Sequence, residues 1–445
     1  MRPSLGTTIA PRRRAAFRQT LLTDIEREPP PERGLLGRIA VDVSPLRESR
    51  DFRRLWFGTG ISAIGSQITT VAIPYQVYQE TRSTFVVGLL GIAALVPLLI
   101  VPIYGGAVAD AVDRRRLLLL SDLALVGVTG GLIVNALLPD PSVLALFGAE
   151  ALGTAAYGFQ RPARNALTPG LVRPDQLMAA LTVEDVVFTL ARVAGPVLAG
   201  GLIAVVGLAG AYAIDLGTFG ASLVAIWLLP PVPPAPDAAR PSLNSILDGF
   251  RYIARRQVLL GIFLVDTLVM IFGMPRALFP AFAEELGGGA GTLGLLYGAT
   301  SFGALLASLT SGWMLTVRRQ GLAVCIAAAG WGVAISIVGF AGSVWFAFAF
   351  LAVAGASDFV SAVLRSTILL SVTPDAMRGR LSGIELAQVA GAPEIGNLEA
   401  GIVASLTSVR TSIVSGGILS VVGAVAVALA LPALVHYDAR KPRDE

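Results

Sequence analysis

Long apolar runs broken by short charged stretches set the pattern of this chain. Twelve such runs fall near 55–79, 85–109, 117–138, 142–163, 177–206, 210–230, 258–282, 291–316, 321–340, 343–370, 381–407 and 411–435. Each approaches or exceeds the roughly 20 residues that a helix needs to cross bilayer hydrocarbon. Several are diluted by glycine, alanine and polar residues, as happens where spans pack on one another rather than on lipid. The pattern predicts an all-α membrane protein of twelve transmembrane helices.

The charges between the runs alternate. One set of loops holds Arg47, Arg50, Arg53 and Arg54, then Arg114 to Arg116, Arg164, Arg173, Arg240, Arg251, Arg255 and Arg256. Arg318, Arg319, Arg378, Arg380, Arg440, Lys441 and Arg443 continue it. The other set has Arg82, Arg410 and, at the end of its run, Arg276. Short arginine-rich loops stay in the cytoplasm, so both termini are expected there, with the chain in the cell membrane.

Composition agrees. Of the 445 residues 54% are hydrophobic and 14% charged, against about 25% charged in a soluble domain. The net charge of +4 belongs to the loop arginines and gives no reason to expect nucleic acid as a partner. One cysteine, Cys325, excludes an internal disulfide and reads as packing. The single histidine, His436, leaves no His/Cys metal cluster and no histidine-based catalytic site, so neither a metal, a cofactor nor an enzyme is expected. No Gly-x-x-x-x-Gly-Lys-Ser/Thr stretch is present to bind a nucleotide. A secondary transporter follows.

Residues 1–46 are rich in arginine, proline and acids and read as a disordered cytoplasmic tail. Residues 231–257 divide the apolar runs six and six, into halves at 47–230 and 258–437, with a short tail at 438–445. Pro230, Pro231, Pro233, Pro234 and Pro236 open this linker. After them Leu243, Ile246, Leu247, Phe250 and Ile253 recur at helical spacing, which predicts an amphipathic helix on the cytoplasmic surface; a plain solvated linker is the alternative. The halves repeat: Val172, Pro174, Asp175 and Leu181 match Val372, Pro374, Asp375 and Leu381 at an offset of 200 residues. Parallel repeats of this kind build transporters.

Between the second and third runs stands Gly106-x-x-x-Asp110-x-x-Asp113-Arg114-Arg115-Arg116. It resembles the loop 2–3 signature of the major facilitator superfamily, with Asp113 where glycine is usual. A worn copy, Gly312 to Arg319, follows the eighth run. Gly195-Pro196 with Ala199 and Gly200 is similar to that superfamily's antiporter signature in the fifth helix. Arg161-Pro-Ala-Arg-Asn-Ala-Leu-Thr-Pro169, Asp215, Met274-Pro-Arg-Ala-Leu-Phe-Pro280 and Pro374-Asp-Ala-Met-Arg-Gly-Arg380 look like the branch holding enterobactin-type siderophore exporters and macrolide-efflux proteins. The resemblance implies two six-helix halves, alternating access, and spans one, four, seven and ten around a central cavity. The arginine-centred fourth-helix motif of many drug antiporters is missing, and Glu150 stands in that helix instead.

Charges inside spans cost about 2.5–3.5 kcal/mol each on insertion scales and need partners or a wet cavity. Glu150, Arg192, Asp266, Asp358, Arg365 and Glu399, with the neutral Gln67, are the candidates for coupling or substrate contact. Asp110 and Arg114, with Gly106, Asp113 and Arg115, are expected to form a cytoplasmic gate. The reading is a proton-driven exporter of a bulky, partly apolar solute, a siderophore ahead of a macrolide-like drug. Import of a small metabolite is the third reading. A single copy in the bilayer is expected to suffice.

Overall fold

The computed structural model describes residues 42–111, 113–230 and 243–438. The expected tail (1–41) and most of the proline linker (231–242) lie outside the described residues, and within 102–111 only the backbone is described. The tail boundary expected at residue 46 falls inside a short helix, α1 (Ser44–Glu48).

Fourteen further α-helices follow among the described residues: α2 (Arg50–Thr81), α3 (Thr84–Ala111), α4 (Arg114–Leu137), α5 (Val143–Leu171), α6 (Leu177–Trp227), α7 (Leu243–Ala254), α8 (Gln257–Phe272), α9 (Phe279–Glu285), α10 (Ala290–Leu309), α11 (Gln320–Val338), α12 (Val344–Val372), α13 (Asp375–Leu406), α14 (Val409–Ala430) and α15 (Pro432–Val435). Helix α6 carries two spans. Gly207 breaks it with φ +71°, a conformation that glycine adopts without penalty. Helices α8 and α9 are two pieces of one span.

Eight helical stretches are long and apolar enough to cross a bilayer, α6 with its two arms among them. Helices α2, α5 and α13 fall short of that composition, yet each runs 29 to 32 residues. With these three the crossings number twelve among the described residues. Their deficit is physical: they carry Ser66, Gln67, Glu150, Gln160, Gln388 and Glu394, which face other helices or internal cavities rather than lipid.

The face that bears the linker helix α7 will be called the linker face, and the opposite one the far face. Buried polar contacts tie the spans within each half. Thr69 donates to Asp215 (2.6 Å), Gln160 to Asp122 (2.5 Å) and Thr168 to Glu184 (2.8 Å) in the first half. In the second, Ser366 donates to Glu385 (2.9 Å). Away from water such bonds have few competitors, and measured ones contribute about 0.6–2 kcal/mol each.

The halves meet through glycines toward the far face, and two crossings mirror each other. A Cβ at Gly88 of α3 would stand 2.7 Å from the Asn397 carbonyl and 3.2 Å from Gly401 Cα on α13. A Cβ at Gly200 of α6 would stand 2.9 Å from Gly294 Cα on α10. Only glycine lets the backbones approach this closely. Above them Arg82 reaches across to Glu284 (2.7 Å), while Gln79 donates to the same carboxylate (2.8 Å). Arg82 takes the left-handed C-cap conformation (φ 52°) to end α2 there. This ion pair is largely exposed, so it contributes at most about 1 kcal/mol. These contacts hold the two halves together at the far face.

Candidate functional site

Two polar cavities lie in series along the molecule. The first, about 230 Å³, is in the far half and lies between the two six-helix halves. Glu150 enters it from α5, Thr69 and Thr70 from α2, and Glu394 and Asn397 from α13. Arg276 and Tyr297 complete it. The second, about 420 Å³, lies toward the linker face within the first half. Gln67, Gln160, Arg164, Glu184, Asp185 and Arg192 line it. Ser66 and Tyr157 border both cavities, so the two meet at these side chains.

Arg276 is where sequence reasoning erred most. It was expected at an outer helix end. The structure breaks span seven at Gly273–Pro275, turns Arg276–Leu278 into a 3₁₀ segment with Ala277 and Leu278 buried, and sets the exposed Arg276 on the first cavity. Proline removes a backbone donor and a glycine beside it frees the chain to bend. The loosened backbone is satisfied by side chains: Trp331 Nε1 donates to the Gly273 carbonyl (2.9 Å), Tyr297 Oη to the Arg276 carbonyl (3.2 Å), and Asn397 Oδ1 accepts from the Ala277 N–H (3.2 Å). Irregular backbone at membrane depth is tolerated where protein groups or a wet cavity take up its hydrogen bonds.

Glu394 is the residue that sequence reasoning missed. It accepts from Asn397 Nδ2 (3.1 Å), and its charge and that of Glu150 act on each other across the cavity. Glu394 directly follows Pro393, a proline inside α13.

Gly195 of that motif sits against Gln67, since a Cβ at 195 would stand 2.7 Å from Gln67 Cβ. The glycine thereby sets where Gln67 stands in the second cavity. Pro196 follows directly and Gly200 lies just over a turn on, and the Pro196 carbonyl touches Gly294. In the same cavity the Arg164 guanidinium lies 3.9 Å over the Phe188 ring. Arg192 is exposed there despite its mid-span position. A charge at that depth calls for a wet cavity.

Asp266 and Arg365, expected as separate candidates, form one ion pair at 2.5 Å. Gln388 donates to the second oxygen of Asp266 (3.0 Å), and Arg365 donates to Ser361 (3.0 Å). The space around them, about 10 Å³, is too small to hold more than one water. Asp358 stands where the charges of both Arg365 and Arg276 act on it. Glu399 is half-buried on α13 and borders none of these cavities.

In the loop motif, the side chains of Gly106 and Asp110 lie outside the described residues, and with them the expected Asp110–Arg114 contact. Asp113 caps α4 by accepting from the Arg116 N–H (3.1 Å). Arg115 donates to the carbonyls of Ile226 (3.2 Å) and Trp227, the last turn of α6. A cation there complements the helix's negative end.

Comparison with known proteins agrees with this architecture. The Enterobactin exporter EntS of Escherichia coli is 32% identical over 413 residues, 91% of this chain and 97% of that protein. The Enterobactin exporter EntS of Citrobacter koseri is 33% identical over 394 residues, 86% and 92% of the two chains. A solved POT family transporter in complex with 5-aminolevulinic acid superposes with TM-score 0.71 at 12% identity, covering 87% of this chain and 97% of its own. The nucleoside transporter NupG gives 0.67 at 14% identity over 87% and 100%. A bacterial homologue of iron transporter ferroportin gives 0.66 at 14% over 87% and 99%. At such identities these structures bear on the fold alone. Residues 40–444 match the family of transmembrane secretion effectors. The chain belongs to that family of the major facilitator superfamily and is a multi-pass membrane transporter.

Proposed function

We propose that this chain exports a siderophore of the enterobactin type by alternating access, driven by protons entering in exchange. The observation that carries the reading is the first cavity, at the seam between the halves. It brings acids of opposite halves, Glu150 and Glu394, together with Arg276, Tyr297 and Asn397. A seam cavity is where a rocking motion changes access, and its acids are placed to feel that motion. The second cavity adds Arg164 and Arg192 toward the linker face, cations suited to an anionic solute. Together the two volumes fall within the range of ligand pockets, about 300–1,000 Å³. The named relatives add weight to a siderophore.

Deleting the gene and growing the cells in iron-poor medium should leave siderophore inside and lower it outside, by tenfold or more. Unchanged secretion with raised sensitivity to a macrolide would replace this reading with drug efflux. Unchanged secretion with lost uptake of a small metabolite would replace it with import.

The far face is proposed to be extracytoplasmic, with both termini inside. In a Cys325→Ser background, Ser142→Cys should react with an impermeant thiol reagent added to whole cells. Arg318→Cys should react only after lysis. Labelling of both from outside would overturn the twelve-span order.

A further inference from the structure

A third cavity, about 670 Å³, is distinct from the two above. It lies between α4 and α5 alone, and apart from Ser121 and Asn135 every residue lining it is apolar. Leu120, Gly127 and Gly131 of α4 face Gly148, Leu152 and Phe159 of α5 across it. The space is genuine: a Cβ added at Gly127, Gly131 or Gly148 would touch nothing within 4 Å. It is also open outward, with Leu120 61% and Leu152 63% exposed. A wall of this kind, on a membrane helix, opens onto lipid.

Its linker-face end is charged. On α4 the lining stripe runs through Leu120, Ala124, Gly127 and Gly131, and helical spacing puts Arg116 one turn before Leu120 on the same stripe. Of the neighbouring arginines, Arg115 is committed to the carbonyls that end α6. Asp113 is turned onto the Arg116 backbone as a cap. The Arg116 side chain is exposed. Leu117 to Asn135 spans about 27 Å by helical rise. An acyl chain of one leaflet needs about half of the ~30 Å hydrocarbon core. The groove therefore takes a whole chain with its headgroup level with Arg116.

We propose that the α4–α5 groove is a binding site for one anionic phospholipid of the linker-face leaflet, its acyl chain against the glycines and its phosphate on Arg116. Arginine suits a phosphate because its planar fork donates twice. The groove shares only Val128 and Ala149 with the first cavity and no residue with the second. A lipid in it supports α4, a helix at the periphery of its half.

The test is native mass spectrometry of the full chain, titrated with dioleoylphosphatidylglycerol or dioleoylphosphatidylethanolamine in mixed micelles. One phosphatidylglycerol should persist after the other lipids have been stripped. It should bind at least tenfold more weakly to Gly131→Leu, which fills the groove, and to Arg116→Gln. Gly127→Val provides a second filled groove if Gly131→Leu does not fold. Glycerol phosphate should not compete. Equal retention of the two lipids, or undiminished retention by folded groove-filled variants, would show ordinary annular lipid and overturn the proposal. Competition by glycerol phosphate would reduce the site to a headgroup contact. Dimers that disappear in the filled variants would show instead that a second copy of the chain occupies the groove.

Discussion

Replacing Arg365 by leucine should destabilise the protein by about 3–5 kcal/mol, the usual cost of stranding one partner of a buried ion pair. The side chains of Asp266 and Arg365 are only 4% and 9% exposed, so solvent screens their 2.5 Å contact little. Asp266 keeps a single further donor, Gln388, and the space around it is too small for a hydration shell. Without the guanidinium, the carboxylate of α8 is left against the apolar surfaces of Ile262, Phe263 and Leu369. Asp266→Leu should cost a comparable amount by stranding Arg365. The double variant, Asp266→Leu with Arg365→Leu, should recover most of the loss, because matched apolar replacements of buried pairs are often neutral or stabilising. Thermal unfolding of purified protein, followed by tryptophan emission, reads all three. If either single variant melts with the parent, the pair does not hold α8 to α12.

That pair shows how far the sequence could be read. Asp266 and Arg365 were visible as intramembrane charges, and each was expected to need a partner, but 99 residues separate them. Hydropathy cannot say which helix faces which, so both read as cavity candidates. Span count and the six-plus-six order were legible because a bilayer forces every crossing to be long and helical. The cavity was less legible for the same reason that α2, α5 and α13 were the weakest runs: polar residues that serve the interior lower the hydropathy by which spans are found. Arg276 reads only as a charge near the outer end of a run that stops at 282; the span continues to Glu285, and the packing of Trp331, Tyr297 and Asn397 around its broken backbone is visible only in the structure. Glu394 was not legible as a cavity residue because one intramembrane acid beside Pro393 does not reveal which face of α13 meets the other half. The mirrored crossings at Gly88 and Gly200 carry no chemistry at all, and only the approach of two backbones reveals them.

Neutralising either acid of the seam cavity should uncouple transport without stopping it. Glu150 belongs to one half and Glu394 to the other, so the approach of the halves at the far face brings the two charges together. At an effective dielectric constant of about 20, two like charges about 4 Å apart repel by about 4 kcal/mol, and less in proportion as they separate. One shared proton removes that repulsion, and so favours the conformation closed at the far face. Its release favours separation of the halves. Under the proposed proton exchange the proton's free energy would be spent on access, since a ligand shifts an equilibrium only by its differential affinity for the two states. One charge crossing 100 mV supplies about 2.3 kcal/mol, or roughly fifty-fold of gradient. In proteoliposomes with an imposed proton gradient, Glu150→Gln and Glu394→Gln should each lose accumulation of up to about that factor, and both should keep downhill exchange of substrate. If the acids share one proton, the double variant should be no worse than either single one, since groups acting as one unit are not additive. Accumulation that survives in both single variants would remove the seam acids from coupling and leave Asp358 and Glu399 as the carboxylates to test.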